Sequence, residues 1–222
     1  MMKKIFVLIS MLATLAVISG CVNFDAGSVR GRGETETREI QAENFSGLRL
    51  SGIYEFTFRQ SSEFSVILSM QENLFNYFEP SVEDGVLNMD FTRGITVVRQ
   101  DYTPVLQITA PYLDSLLISG TVDADIYQYA EILEISVSGT ADILLSGSAD
   151  TLNISIAGAA NVNAFDMTAT DVSVRVRGVG NVEVYATDTL YVNMSGVGNV
   201  RYDGNPEITR NITGPGRIER QN

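Results

Sequence analysis

The chain has 222 residues, no histidine, no tryptophan, one cysteine and a net charge of −12. This length suits one domain, and the acidic surplus argues against a nucleic-acid partner, because phosphate binding needs clustered lysines and arginines. Without histidine, the chain cannot form Ser–His or Cys–His catalytic pairs, and it lacks the usual ligands for zinc.

The first twenty residues predict a secretory signal. Lys3 and Lys4 precede an apolar run over residues 5–17, and small residues follow. The run is shorter than the roughly 20 residues that span a membrane. The stretch "ISGC", which ends at Cys21, resembles the lipobox of bacterial lipoproteins, in which the chain is cut before a cysteine whose thiol is lipidated. We therefore predict a membrane anchor at Cys21; the alternative is an ordinary signal peptide with an incidental cysteine.

The residues after the signal predict a short tether and one folded domain. By analogy with lipoproteins, Val22 favours export to the outer membrane, in a cell that has one. Residues 21–38 are polar and rich in glycine, which predicts a flexible tether. The domain is expected over residues 39–222, with a less regular capping half over 39–113 and a repeat half over 114–220.

Six glycine-centred copies recur through the second half of the chain. The aligned glycines follow one another at intervals of 19, 19, 20, 18 and 18 residues. They are Gly120, Gly139, Gly158, Gly178, Gly196 and Gly214. Within a copy, apolar and polar residues alternate, as in "LEISVSG", which is typical of half-buried strands. Such a regular period predicts a repeat architecture.

One copy cannot bury its apolar side alone, whereas stacked copies can. The pattern therefore predicts an all-β fold, a single-stranded parallel β-helix or β-solenoid with about 18–20 residues per coil. Each glycine marks a corner that requires either a positive φ or a close backbone approach. The alternative is an antiparallel meander that forms a sandwich or barrel. That alternative does not explain why residues in one column match from copy to copy.

A polar column lies three residues after the aligned glycines. Its members are Asp123, Asp142, Asn161, Asn181, Asn199 and Arg217. One interpretation is a turn ladder, in which Asx side chains bond backbone amides. Another is a weak calcium site formed by Asp123, Asp125 and Asp142, because oxygen ligands suit Ca²⁺. A glycosidase pair is a third, although a general acid needs a dry pocket that the pattern does not predict.

A second candidate site combines arginine and tyrosine on the later coils. Arg175, Arg177 and Arg201 are outward in the strand pattern, with Tyr185 close in sequence. Arginine suits bidentate binding of carboxylate or phosphate groups. We predict a contact patch for a glycan or a cell-surface protein; the alternative is a solvated sheet face.

Several longer segments resemble the head GIN domain family of bacterial lipoproteins. They are "FSGLRLSGIYEFTFRQ", "SVILSMQENLFNYFEPSVEDGVLNMDF", "PVLQITAPYLDSLLISGTVDADI" and the G-x-G-N repeats. The resemblance covers residues 40 to 220 and implies a right-handed β-helix with a role in cell-surface adhesion. It carries over no catalytic residues. Together with the residues, it predicts a non-enzymatic, lipid-anchored envelope protein that acts in adhesion or binding, or else a structural envelope protein that binds another protein.

Overall fold

The computed structural model describes residues 27–99 and 102–221. Strands make up 72% of the structure, and stacked parallel coils form a β-solenoid of about 6 turns. The predicted fold class is confirmed, and the antiparallel sandwich or barrel is excluded. Among the described residues, no helix is long and apolar enough to cross a bilayer.

The strands follow one another with a single helical interruption. The first ten are β1 (Gly27–Arg30), β2 (Thr35–Glu39), β3 (Gly47–Leu50), β4 (Ile53–Gln60), β5 (Ser65–Gln71), β6 (Ser81–Glu83), β7 (Val86–Met89), β8 (Ile95–Arg99), β9 (Val105–Ala110) and β10 (Ser115–Ile118). A 3₁₀ helix, Glu72–Tyr77, lies between β5 and β6. The remaining seven are β11 (Thr121–Val137), β12 (Thr140–Ile156), β13 (Ala159–Val176), β14 (Val179–Met194), β15 (Val197–Gly204), β16 (Glu207–Ile212) and β17 (Gly216–Arg220).

Each of the long strands β11 to β14 is a whole coil that runs from one glycine corner to the next. Neighbouring coils pair in parallel, and their register follows the sequence repeat, with Asp123 opposite Asp142 and Asp142 opposite Asn161. Because side chains alternate across a strand, every second residue points into the coil. The inward columns therefore stack like on like; Ile135, Ile154 and Val174 are consecutive members of one column and are buried.

The corner glycines are required by space and not by a left-handed backbone. None of the six aligned glycines has a positive φ. A Cβ built on Gly139 would lie 2.0 Å from the carbonyl oxygen of Gly120, and one on Gly158 would lie 2.0 Å from that of Gly139. Each corner thus rests directly on the backbone of the previous coil, and only glycine leaves room for that approach.

The N-terminal half continues the stack and then closes it. Strands β3 and β4 pair in parallel with β10 and β11, and β7 and β9 pair in parallel with β3 and β4. Beyond them the pairing becomes antiparallel, as β5 joins β9, β2 joins β5 and β6 joins β7. The 3₁₀ helix buries Leu74 and Phe75 against this end. These elements cover the inner surface that an open coil would expose to water.

The predicted flexible tether is wrong from residue 27 onward. Strand β2 pairs with β5, and β1 pairs in parallel with β8 in a separate two-stranded sheet. Strand β2 is entirely polar, and β1 has one apolar side chain, Val29, packed against the core. Such short edge strands are held mainly by backbone partners and show little apolar alternation. The hydropathy pattern therefore did not reveal them. Cys21 and the predicted signal lie outside the described residues.

A buried tyrosine makes the first coils sensitive to alkaline pH. Tyr54 is 2% exposed, and its hydroxyl donates a hydrogen bond to the carbonyl oxygen of Met89 at 3.0 Å. Burial, and secondarily the nearby carboxylate of Asp90, raises the pKa of Tyr54. The unfolded chain loses this proton near pH 10 whereas the folded chain keeps it. The stability that the neutral phenol contributes is therefore present below about pH 10 and is lost as the pH rises further.

We expect Tyr54→Phe to flatten that alkaline decline. At neutral pH the variant loses one hydrogen bond, which costs about 1 kcal/mol. Urea unfolding between pH 8 and pH 11 should show the wild-type free energy of unfolding falling more steeply than that of the variant. Parallel curves for the two proteins would contradict the assignment.

Candidate binding faces of the solenoid

The outer surface has two faces that meet at the glycine corner. We call the outward residues that follow the corner, 121–129 in β11 and the residues in register with them, the ladder face. We call the outward residues that precede the next corner, 132–138 and those in register with them, the serine face. The ladder face carries the polar column predicted from sequence, now extended at one end by Glu55, which lies opposite Asp123. The full column is Glu55, Asp123, Asp142, Asn161, Asn181, Asn199 and Arg217.

The column is a side-chain ladder. Asn161 Nδ2 donates to Asp142 Oδ1 at 2.7 Å, Asn181 Nδ2 to Asn161 Oδ1 at 3.1 Å, and Asn199 Nδ2 to Asn181 Oδ1 at 3.3 Å. The predicted Asx turn, with side chains bonded to backbone amides, is therefore not what these asparagines form. In-register strands about 4.8 Å apart let each amide donate to one neighbour and accept from the next. The ladder holds this part of the face rigid.

The acidic end of the column differs from the predicted calcium cluster. Asp125 forms a bidentate ion pair with Arg59, with Nη2 to Oδ2 at 2.6 Å and Nη1 to Oδ1 at 3.2 Å. Within residues 27–99 and 102–221, no group of three or more acidic side chains is arranged to hold a metal ion. Calcium at Asp123, Asp125 and Asp142 stays a prediction that would require Asp125 to leave Arg59.

A glycosidase mechanism at the same acids finds little support in the geometry. Asp123 and Asp142 are exposed and stand on neighbouring strands of one sheet face. A general acid requires a dry environment, which an exposed sheet face does not provide. The sequence missed Glu55 and Arg59 because the N-terminal half lacks the repeat that aligns the later coils.

The predicted arginine–tyrosine patch is divided between the two faces. Arg175 and Arg177 lie on the serine face, where the Arg175 guanidinium stands 5.5 Å from the centre of the Tyr191 ring. Arg201 lies on the ladder face and forms an ion pair with Glu183 on the neighbouring strand. Tyr185 is also on the ladder face, opposite Asp203. The four side chains therefore do not form one contact surface.

An exposed tyrosine pair, not singled out in the sequence, stands on β11. The Tyr127 and Tyr129 hydroxyls are 2.7 Å apart, and the rings meet edge to face with centroids 5.6 Å apart. The hydrogen bond to Tyr129 raises the pKa of Tyr127. The side chains are 40% and 58% exposed. The alternation in "DIYQYA" could have indicated the pair, since period two points both rings outward.

The tyrosine pair is fixed from beneath by a glutamine. Gln60 accepts from the backbone amide of Tyr129 at 2.9 Å and donates to its carbonyl at 3.0 Å. The side-chain nitrogen of Gln60 also donates to the carbonyl oxygen of Pro111 at 2.8 Å. At the end of β4, the Gln60 side chain thus takes the place of a backbone partner for β11 and holds Tyr129 in position.

A groove of about 560 Å³ lies between β8 and the glycine corner. Its walls combine apolar Ile53, Phe91 and Ile95 with charged Asp90 and Arg93. The two-stranded sheet of β1 and β8 thus builds a concave surface against the first coils.

The fold is a β-solenoid whose stacked coils place outward side chains in regular columns. Residues 44–206 match the family described as "Putative auto-transporter adhesin, head GIN domain". Because this match covers most of the chain, the protein belongs to the head GIN domain family, as the sequence resemblance predicted. No curated protein is significantly similar to the chain.

Solved structures share the architecture. A protein described as a putative adhesin from Bacteroides fragilis is 19% identical, with a TM-score of 0.68, and the match covers 87% of this chain and 100% of that one. A putative adhesin from Parabacteroides merdae is 20% identical, with a TM-score of 0.51 over 88% of this chain and 99% of that chain. A protein from Parabacteroides distasonis described as a putative lipid binding protein is 22% identical, with a TM-score of 0.50 over 88% and 100%. At these identities the similarity shows the fold alone.

Proposed function

We propose that this protein is a lipid-anchored, non-enzymatic component of the cell envelope that works as an adhesion or binding module. The observation that carries the proposal is the ladder face, where a continuous run of hydrogen-bonded side chains stands beside an exposed tyrosine pair. Rigid aromatic side chains lose little conformational entropy on contact, which suits recognition. Membership of a family described as adhesins supports the same function.

The chemistry of the described residues supports a binding role over catalysis. The chain has no histidine, and the exposed acids of the ladder face are engaged by asparagine or arginine partners at Asp142 and Asp125. Adhesion needs a stable, displayed surface, and the stacked coils supply one.

Protease accessibility on intact cells tests this proposal. A surface adhesin anchored through Cys21 should be digested in intact cells, whereas a protein facing inward should be protected until the cells are lysed. Cys21→Ala serves as the control, because loss of the lipid should remove the protein from the membrane fraction. Protection in intact cells would rule out adhesion to another cell as the direct role.

A structural role through another envelope protein is the second candidate. Val179 and Val197 are opposite each other on adjacent coils and are 54% and 48% exposed. Exposed apolar neighbours favour a protein contact.

If this role holds, replacing both valines by serine should abolish chemical cross-linking to an envelope partner, while Arg175→Ser and Arg177→Ser should leave it intact.

A further inference from the structure

We propose that a notch beside the tyrosine pair binds a neutral sugar unit of a glycan, which deepens the binding role proposed above and rests on it. The notch spans three consecutive coils. Tyr127 and Tyr129 of β11 form its first wall, Ser146 and Ser148 of β12 its floor, and Asp166 and Thr168 of β13 its second wall.

The register of the coils creates the notch. Tyr127 lies opposite Ser146, which lies opposite Asp166. Two residues further along the strands, Ser148 lies between Tyr129 and Thr168 in the same way. With strands about 4.8 Å apart, the two walls stand roughly 10 Å from each other. Small side chains on the middle coil therefore leave a gap between larger ones on either side.

The residue between the two floor serines must be glycine. Gly147 adopts a φ of +109°, and a Cβ there would lie 2.0 Å from the carbonyl oxygen of Gln128. Gln128 itself is fully buried, and its side chain bonds the backbone of Leu113 through both the amide nitrogen and the oxygen. The backbone beneath the notch is thus held on both coils, and the gap is present before any ligand binds.

The first wall is also fixed in advance. The hydroxyl–hydroxyl bond and the edge-to-face packing of Tyr127 and Tyr129 restrain both rings, and Gln60 holds the backbone of Tyr129. Preorganisation of this kind lowers the cost of binding. A tyrosine offers an apolar ring and a polar hydroxyl together.

A sugar unit matches this combination of groups. A pyranose ring has an apolar C–H side that can pack on an aromatic ring and a rim of hydroxyls. The hydroxyls of the tyrosines and of Ser148 can donate to or accept from that rim, and the carboxylate of Asp166 can accept from it. The Ser146 hydroxyl donates to the carbonyl oxygen of Ile126 at 3.3 Å and can still accept from the sugar.

The local charge selects a neutral sugar. The ion pair beside the tyrosines, Arg59 with Asp125, is internally compensated. Asp166 adds negative charge at the second wall, and the whole chain carries −12. An acidic glycan or a phosphate would be repelled, because the notch has no uncompensated cation among the residues that define it.

Binding to defined polysaccharides tests the notch. The chain from residue 22 onward contains the whole described fold and can be produced without the predicted signal. Affinity electrophoresis and calorimetry would use mannan, galactomannan, dextran and xylan as neutral probes and polygalacturonate as the acidic one. We expect at least one neutral polysaccharide to bind and polygalacturonate not to bind. The chain has no tryptophan to mask tyrosine emission. Tyrosine fluorescence should therefore report a sugar that contacts Tyr127 and Tyr129.

Three variants locate the site. Tyr129→Ala removes part of the first wall, and Ser148→Gln fills the floor while keeping both tyrosines; each should weaken binding at least tenfold. Tyr191→Ala, an equal aromatic loss on the serine face, should leave affinity unchanged. Circular dichroism and urea midpoints check that all three remain folded.

The outcomes separate this proposal from the adhesion role. If no neutral polysaccharide binds, if polygalacturonate binds equally well, or if Tyr129→Ala and Ser148→Gln bind like wild type, the notch proposal is overturned. None of these results depends on where the protein sits in the cell. Conversely, protection from protease on intact cells would remove the adhesion role and leave sugar binding by the purified protein unaffected.

Discussion

Replacing Gly158 with alanine should strongly destabilise the solenoid, because this corner glycine rests directly on the backbone of the previous coil. The added Cβ would lie 2.0 Å from the carbonyl oxygen of Gly139 and 2.5 Å from that of Ser138. Both obstacles are backbone atoms. The Gly139 carbonyl accepts from the amide of Ala159 at 2.9 Å, and the Ser138 amide donates to the carbonyl of Ile118 at 2.8 Å, so neither residue can move aside without breaking a bond between coils. We expect the free energy of unfolding to fall by about 3 kcal/mol or more, out of roughly 5–15 kcal/mol for a typical domain.

Gly85→Ala is the matched control for this prediction. Gly85 has a φ of +76° but no heavy atom within 4 Å of a Cβ. Alanine there incurs only the left-handed backbone cost of about 1–2 kcal/mol. Urea unfolding of both variants measures the difference; equal midpoints would show that coil spacing at the corners is softer than the structure indicates.

Arg210→Ile should make the protein associate end to end. Val174, Val192 and Arg210 are consecutive members of one inward column, and Arg210 is the member on the last coil. Among the described residues, β16 pairs only with β14, and β17 only with β15. Both strands therefore present an outer edge with free backbone groups, and an inward-pointing charge is a known way to block pairing at such an edge.

Isoleucine at position 210 would continue the apolar column to the open edge. Burial of Ile208 and Ile218, which border the same end with Arg210, would then favour contact between two copies. Sedimentation velocity over a hundredfold range of concentration should show association for Arg210→Ile and none for wild type. Arg177→Ile, the same exchange on the serine face, is the control. A monomeric Arg210→Ile protein would mean that Arg220, which donates to the carbonyl of Gly204, protects this end by itself.

The repeat half could be predicted from sequence because each coil repeats the same physical requirement. Inward positions must be apolar and corners must be glycine, so the period of 18–20 residues is visible in composition alone. The polar column was found for the same reason, since a constant offset from the glycine places residues in one register. In the N-terminal half, coils such as β3–β4 and β7–β9 are separated by antiparallel strands and a 3₁₀ helix. No constant spacing exists there to reveal that Glu55 joins the column.

The candidate sites show where such reasoning ends. Arg175 and Arg201 are outward in the strand pattern, but only the coil geometry shows that the glycine corner places them on different faces. Asp125 was grouped with Asp123 and Asp142 by spacing, yet its partner is Arg59, which is 66 residues away in the chain. Pairing between distant segments depends on which coil stacks on which, and the local pattern contains no information on that.

The amino-acid sequence by itself therefore determined that the protein is an all-β solenoid with glycine corners and a stacked polar column. It did so because period-two alternation and coil length are local properties. The tertiary structure decided what the outer faces can do: which carboxylate meets an arginine, which tyrosines stand above a serine floor, and how the two ends are closed. Those features arise from register between coils, where residues about 19 positions or more apart in the chain become neighbours about 4.8 Å apart in space.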